Sequence, residues 1–275
     1  MIKTFFKLLL CILVYTIVRI IAMILLPSSQ ELMELSSAMD PLSMVMFLPI
    51  SSAFVCFTML FIIRHTYFGG VKLFLNIIYV MFFVSIFTQH IDTLFIGSAF
   101  PAMTRFDIAF TMLSGLFSLL ATVPLMIYFL QNKSNVIENI KQNIKSLIPK
   151  LGIFGVIYLI IYGLFGFLFI FSVEEFRLFY SSIEINPLLL IPFQILRGIL
   201  LGIFIIPLKN MIKTKNIFII SVCLVYLCMA VDLIMPNPLL YTKLRMFHLM
   251  EMATSMILFG IIVSNILWRK QKTIA

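Results

Sequence analysis

The sequence predicts an all-α integral membrane protein with eight transmembrane helices, and three observations carry that prediction. The first is composition: 62% of the 275 residues are hydrophobic and 11% are charged, with a mean hydropathy of +1.14, far from the usage of water-soluble domains. The second is that apolar runs of about 20 residues recur along the whole chain, each long enough to cross about 30 Å of hydrocarbon. The third is that basic residues collect in alternate connections. The ten-residue alternating segments of a β-barrel are missing.

The first span is expected at 5–26. Met1-Ile-Lys3 and Lys7 before an apolar run resemble a secretion signal, but a signal has a shorter apolar stretch and a small-residue cleavage site. Here the run continues past Arg19 to Leu26, and Leu8-Leu-Leu-Cys11 lacks the small residues of a lipobox. A retained helix is expected. Seven further spans follow at about 42–63, 73–98, 107–130, 151–172, 187–207, 216–235 and 246–268.

Counted against these spans, one set of connections and the two ends carry Lys3, Lys7, Arg64, Lys72, Lys133, Lys141, Lys145, Lys150, Lys209, Lys213, Lys215, Arg269, Lys270 and Lys272. The other set holds only Arg105, Arg177, Lys243 and Arg245, alongside Glu31, Glu34, Asp40, Asp107, Glu174, Glu175 and Glu184. By the positive-inside rule this predicts both termini in the cytoplasm, with the chain in the plasma membrane. The net charge of +9 is then a topology signal and implies no nucleic-acid partner; the partner is the bilayer.

The connection at 131–150 divides the chain into two four-span halves, 1–130 and 151–275. Ile137, Ile140, Ile144, Leu147 and Ile148 recur at helical spacing beside Lys141 and Lys145, which predicts a short amphipathic helix on the inner leaflet, stopped by Pro149. Asn132-Lys-Ser134 is a formal glycosylation triplet in that loop, idle if the loop is cytoplasmic. The halves echo one another. Ser36-Ser37 and Asp40-Pro41-Leu42 precede span 2, and Ser181-Ser182 and Asn186-Pro187-Leu188 precede span 6. Asp92 and Arg105 are 13 residues apart, as are Asp232 and Arg245. With an even number of spans in each half, such repeats would run parallel about an axis along the membrane normal.

Charges inside spans are the informative residues, because each costs about 2.5–3.5 kcal/mol near the bilayer centre and must be hidden from lipid. They are Arg19 in span 1, His90 and Asp92 in span 3, Arg197 in span 6, Asp232 in span 7, and His248 and Glu251 in span 8. Arg245, His248 and Glu251 are spaced by three, so on a helix they share an arc of about 120°. All fall in the outer half of their spans or near the midplane. That points to a polar cavity open to the outside and sealed below by apolar packing, with Arg197, Gln194, Arg245, Asp232, His248, Glu251, Arg19, His90 and Asp92 as candidate substrate-binding residues. Arginines and carboxylates could equally neutralise each other as ties between helices. Gly198 and Gly202 on span 6 form a close-packing motif. Pro192 is expected to loosen that helix near Gln194 and Arg197.

Known membrane-enzyme motifs are missing. The chain has no His-Glu-x-x-His and no Gly-x-Ser-x-Gly. Glu174-Glu175-Phe-Arg177 resembles the glutamate-pair motif of the CAAX-protease-like family only in part, since the arginine there comes later and this stretch falls in an outer connection. The three histidines are too few for a haemolysin III or ceramidase type of metal centre. Cys11, Cys56, Cys223 and Cys228 all sit in apolar runs without metal-type spacing. No metal and no cofactor are expected. The function these features suggest is a transporter or flippase-like protein for a small or lipid-linked anionic or zwitterionic substrate, held by the arginines, with His248 and a carboxylate coupling protons. Two alternatives stand beside it. One is a membrane-embedded enzyme acting on a lipid from the outer face, with His248 as base oriented by Glu251 or Asp232. The other is a non-catalytic membrane subunit or immunity protein.

Overall fold

The computed structural model describes residues 2–37, 40–95, 102–131, 146–181 and 186–268. Eight helices among them are long and apolar enough to cross a membrane, each within a few residues of its expected place. No β-strand occurs among the described residues, only isolated backbone bridges.

Span 1 is α1 (Ile2–Leu25), followed by a short helix α2 (Gln30–Ser37). Span 2 is α3 (Pro41–His65), whose N-terminus is capped by Asp40 accepting from the amides of Leu42 and Ser43. Those bonds and the Ser43 hydroxyl hold the Asp40 carboxyl below the usual carboxylate range. Span 3 starts as α4 (Gly70–Met81), widens into a π-helical stretch over Phe82–Phe87, and finishes as α5 (Thr88–Phe95). Span 4 is α6 (Arg105–Leu130), opened by a Thr104–Asp107 capping box.

Span 5 is α7 (Ile148–Ser172), and the short α8 (Glu174–Ser181) follows. Span 6 runs through α9 (Pro187–Phe204) and α10 (Ile206–Met211), again with an Asx cap, Asn186 accepting from the Leu188 amide. The Ser-Ser…Asx-Pro-Leu echo therefore has a local cause. Each copy ends a short helix and then starts a span with a side-chain cap and a proline in the first turn, where a missing N–H costs nothing. Span 7 is α11 (Lys215–Val231) with a terminal 3-10 turn at Asp232–Ile234. Span 8 is α12 (Thr242–Trp268).

Most of the 131–150 connection, including its amphipathic pattern and the Asn132 triplet, lies outside the described residues. Pro149 sits in the first turn of α7, where proline is well tolerated. Span 5 accordingly begins before its expected start.

Several corresponding spans of the two halves share neighbours, although span 2 also packs on span 4. Span 1 packs on spans 2 and 4, and span 3 on span 4; span 5 packs on spans 6 and 8, and span 7 on span 8. Across the halves, span 2 meets span 7 and span 3 meets span 6. At the end holding Ile2 and Trp268 the loops after spans 2 and 6 join by a backbone bridge, Thr66 to Ile212, with the Tyr67 amide on the Met211 carbonyl at 2.9 Å. This terminal end is closed by a continuous apolar core that includes Cys56, Met59, Val84, Phe154, Phe204, Val225, Tyr226 and Phe259. The opposite, distal end carries α2, α8 and the 235–240 turn.

Glycines bring α7 and α9 together. A Cβ on Gly155 would meet the Ile195 carbonyl at 2.7 Å, and one on Gly198 would meet the Phe154 carbonyl at 2.8 Å and run into Tyr158. Gly202 abuts the Phe154 ring in the same way. The Gly198–Gly202 motif is a packing device, as its spacing implies, and it sets Arg197 over the Tyr158 ring at 5.5 Å.

Candidate functional site

A cavity of about 830 Å³ opens at the distal end. Arg19, His90, Asp92, Arg197, Asp232, His248 and Glu251 all line it. Of the nine residues singled out in the sequence, these seven converge there.

Two ion pairs face the cavity. Arg19 donates from both terminal nitrogens to Asp232, at 3.0 and 2.9 Å, in a bidentate pair. Ser51 on α3 lies between them, donating to Asp232 at 2.6 Å and accepting from Arg19 at 3.4 Å. Arg197 donates to Asp92 at 2.7 Å. In each case an aspartate near the end of its half's third span reaches the second span of the other half, Ser51 or Arg197. A third pair lies within α12: His248 Nδ1 is 3.0 Å from Glu251 Oε2.

The sequence would pair Glu251 or Asp232 with Arg197 or Arg245; in the structure Asp232 holds Arg19, Asp92 holds Arg197 and Glu251 meets His248. Arg245 does not face the cavity or hold a carboxylate. It is buried at 5% exposure and donates to the Met235 carbonyl, tying α12 to the turn before it. The reason is geometric: Arg245 lies only in the first turn of α12, where the unsatisfied end of the preceding turn is nearer than any acid. Gln194 is fully buried against α7 and does not line the cavity. Asp92 and Arg105 form no ion pair, nor do Asp232 and Arg245, so their equal spacings do not mark salt bridges.

The π stretch places the acidic end of span 3. Widening a helix by one residue rotates everything beyond it by about 100°. It also releases carbonyls, which Thr88 and His90 collect: Thr88 Oγ1 donates to Phe83 at 2.6 Å, and His90 Nδ1 sits 2.7 Å from the Ile86 carbonyl. A carbonyl only accepts, so His90 carries its proton on Nδ1 and its Nε2 is the free ring nitrogen. His248, donating from Nδ1 to Glu251, is held in the same tautomer when neutral.

Residues that sequence reasoning passed over complete the walls. Tyr15, Tyr158, Tyr162 and Tyr180 line the cavity with Phe176 of α8. Phe176 packs on His248, with centroids 6.0 Å apart, and on Tyr180 at 5.7 Å. The tyrosines alternate with apolar residues at helical spacing in spans 1 and 5, which reads equally well as core. Asp107 also proved structural: buried at 3%, it closes the α6 capping box and accepts from the Ser29 amide at 2.7 Å, anchoring α2. Among the described residues no three His, Cys, Asp or Glu side chains are grouped to hold a metal ion.

The fold and the site define a multi-pass helical membrane protein with a polar, aromatic-walled cavity at one end of its bundle. Comparison with protein-family models, curated proteins and solved structures yields no match, so the site is read from its chemistry.

Proposed function

We propose that the protein is a transporter or flippase-like carrier in the plasma membrane, with both termini cytoplasmic and the cavity facing outward. One observation carries this reading. Both ion pairs on the cavity wall cross between the halves: Arg19 of span 1 to Asp232 of span 7, and Asp92 of span 3 to Arg197 of span 6. A charged substrate entering the cavity competes for the same groups that tie the halves together. Occupancy is thereby coupled to how the halves sit, which is the requirement for alternating access. The recurring neighbour pattern, the paired loops at Thr66 and Ile212 and the matched short helices α2 and α8 support two parallel repeats rocking about an axis along the membrane normal.

Native thiols test it. Cys11, Cys56 and Cys228 are buried in the apolar floor below the cavity. A carrier that opens toward the cytoplasm exposes them to a membrane-impermeant thiol reagent applied from the cytoplasmic side of inverted vesicles. Breaking a cross-half tie with Asp92→Asn changes that rate. Thiols that stay unreactive from both faces, while reacting fully in denatured protein, refute a carrier.

The His248–Glu251 pair favours a second reading as a lipid-modifying enzyme. Its Nε2 faces the cavity wall as a base whose tautomer Glu251 fixes. In that case His248→Gln abolishes turnover of a lipid substrate while leaving its binding intact, and floor thiols remain closed.

A further inference from the structure

We infer that the cavity receives a substituted ammonium group, with Glu251 as its counter-charge and Tyr162, Tyr180 and Phe176 as its aromatic wall. This rests on the pocket being a binding cavity, whether or not the bound molecule is carried across. It also changes which end of the substrate the protein reads: the sequence suggested arginines holding an anion.

The charge balance of the lining supports a cation. Among the described residues its carboxylates are Asp92, Asp107, Asp232 and Glu251, its permanent cations are Arg19 and Arg197, and no lysine contributes. Both arginines are already engaged by aspartates, Arg19 through both terminal nitrogens. An anion can reach Arg19 only by displacing Asp232 into a low-dielectric wall, which is unfavourable; at Arg197, bonded to Asp92 through one nitrogen, it would lie against the Asp92 carboxylate. Asp107 is consumed by the α6 cap and the Ser29 amide. Glu251 is different. It is 6% exposed yet lines the cavity, and the group seen bonded to it is His248 Nδ1, a cation only when protonated. A buried carboxylate that faces a cavity and, among the described residues, is bonded to no permanent cation is a place for a positive ligand.

The wall around Glu251 fits the same ligand. Phe176 packs at a tilt against both Tyr180 and His248, and Tyr158 and Tyr162, stacked with centroids 6.4 Å apart, line the same cavity. Ring faces beside a carboxylate attract alkylated ammonium groups, which carry positive charge on an apolar surface and lose little hydration on entry. The volume, about 830 Å³, suits an organic molecule and far exceeds a bare ion. At the mouth, α2 presents Glu31 and Glu34 without a basic residue of its own, while on α8 Glu174 and Glu175 are matched by Arg177 and Lys243. The rim is left acidic, which concentrates cations at the entrance.

An ammonium group could belong to a free solute or to a lipid headgroup, and the two are separable. Radiolabelled choline binding is measured on purified protein in nanodiscs of phosphatidylglycerol, with ethanolamine, tetramethylammonium and inorganic phosphate as competitors. The expected result is saturable choline binding that tetramethylammonium displaces and phosphate does not. Glu251→Gln should weaken it at least tenfold, and Tyr180→Leu severalfold with all charges intact. Should Glu251→Gln fail to fold, Tyr180→Leu against Tyr180→Phe decides, since only the loss of the ring should weaken binding. If the native ligand is a headgroup, soluble choline binds weakly in phosphatidylglycerol, and discs containing phosphatidylcholine or phosphatidylethanolamine instead raise the unfolding midpoint in a Glu251-dependent way. Absence of both effects overturns the inference, as does phosphate competing better than tetramethylammonium or Glu251→Gln binding choline like the parent. Choline binding with permanently closed floor thiols keeps the ammonium site and removes the carrier; opening thiols without ammonium binding does the reverse.

Discussion

At the scale of residues, the governing fact is that the buried arginines of the distal half, Arg197 and Arg245, and the largely buried Arg19 have each found an acid or a carbonyl. Arg19 and Asp232 are 13% and 32% exposed at the side chain, so their pair is partly wet and worth less than a fully buried one. Removing one partner leaves an uncompensated charge in the wall. Arg19→Met should therefore cost about 2–3 kcal/mol, near the lower limit for broken buried pairs. The double variant Arg19→Met/Asp232→Leu should recover most of that loss, because an apolar pair needs no counter-charge. Thermal unfolding in detergent reads both, and a single variant as stable as the parent would show that the pair ties nothing together. The sequence marked both residues as needing partners. It paired Glu251 or Asp232 with Arg197 or Arg245, because separation along the chain says nothing about which spans touch. Asp107 and Arg245 illustrate the converse: each looked like a rim charge, and each serves a helix end.

Element by element, the spans are held by local chemistry that is easy to test. Gly198 fits against Tyr158 and the Phe154 carbonyl with no room for a methyl group. Gly198→Ala should cost about 1–3 kcal/mol by forcing α7 and α9 apart. Gly163→Ala, on α7 with nothing within 4 Å of the new carbon, should stay within about 0.5 kcal/mol of the parent. Equal effects at the two sites would contradict the close α7–α9 approach. Asp107→Ala removes the carboxylate half of the α6 capping box and the Ser29 anchor of α2, while the Thr104 hydroxyl keeps its bond to the residue-107 amide; about 1 kcal/mol of stability should go with the lost bonds. Its specific signature should be faster proteolysis in the α2 segment, which a purely global loss would not confine there. The Asp40 cap adds a pH dependence of known sign. A carboxyl held below its unfolded value stabilises at neutral pH, and that contribution disappears as pH falls through its lowered folded value. Asp40→Asn should therefore flatten the acid limb of the unfolding curve.

For the molecule as a whole, the two halves are the unit of prediction. If 1–130 and 151–275 each hold together through their own span contacts, the halves co-expressed as separate chains should purify as a complex, because the contacts between them need no covalent linker. Halves that never associate would mean the bundle folds as one indivisible set. The positive-inside bias makes a separate expectation: a cysteine at Lys72 should label from the cytoplasmic face and one at Ser181 from outside, over a background of mostly buried native thiols. Labelling of the Lys72 position from outside would invert the carrier and its cavity.

What the sequence determined by itself is whatever a bilayer enforces locally. The eight spans were legible because every backbone group in hydrocarbon must be bonded within its own helix, which demands long uninterrupted apolar runs. The list of in-span charges was legible because each is too costly to face lipid, so it must turn inward. Seven of them indeed reach one cavity: Arg19, His90, Asp92, Arg197, Asp232, His248 and Glu251. Only the tertiary structure decided the rest. Which acid meets which arginine depends on spans that are distant in sequence and adjacent in space. The rotation of His90 and Asp92 toward the cavity depends on a π turn at Phe82–Phe87, which apolar phenylalanines do not announce. The aromatic wall was invisible for a similar reason: a tyrosine in a hydrophobic run satisfies a core and a binding site equally well, and only the position of its neighbours separates them.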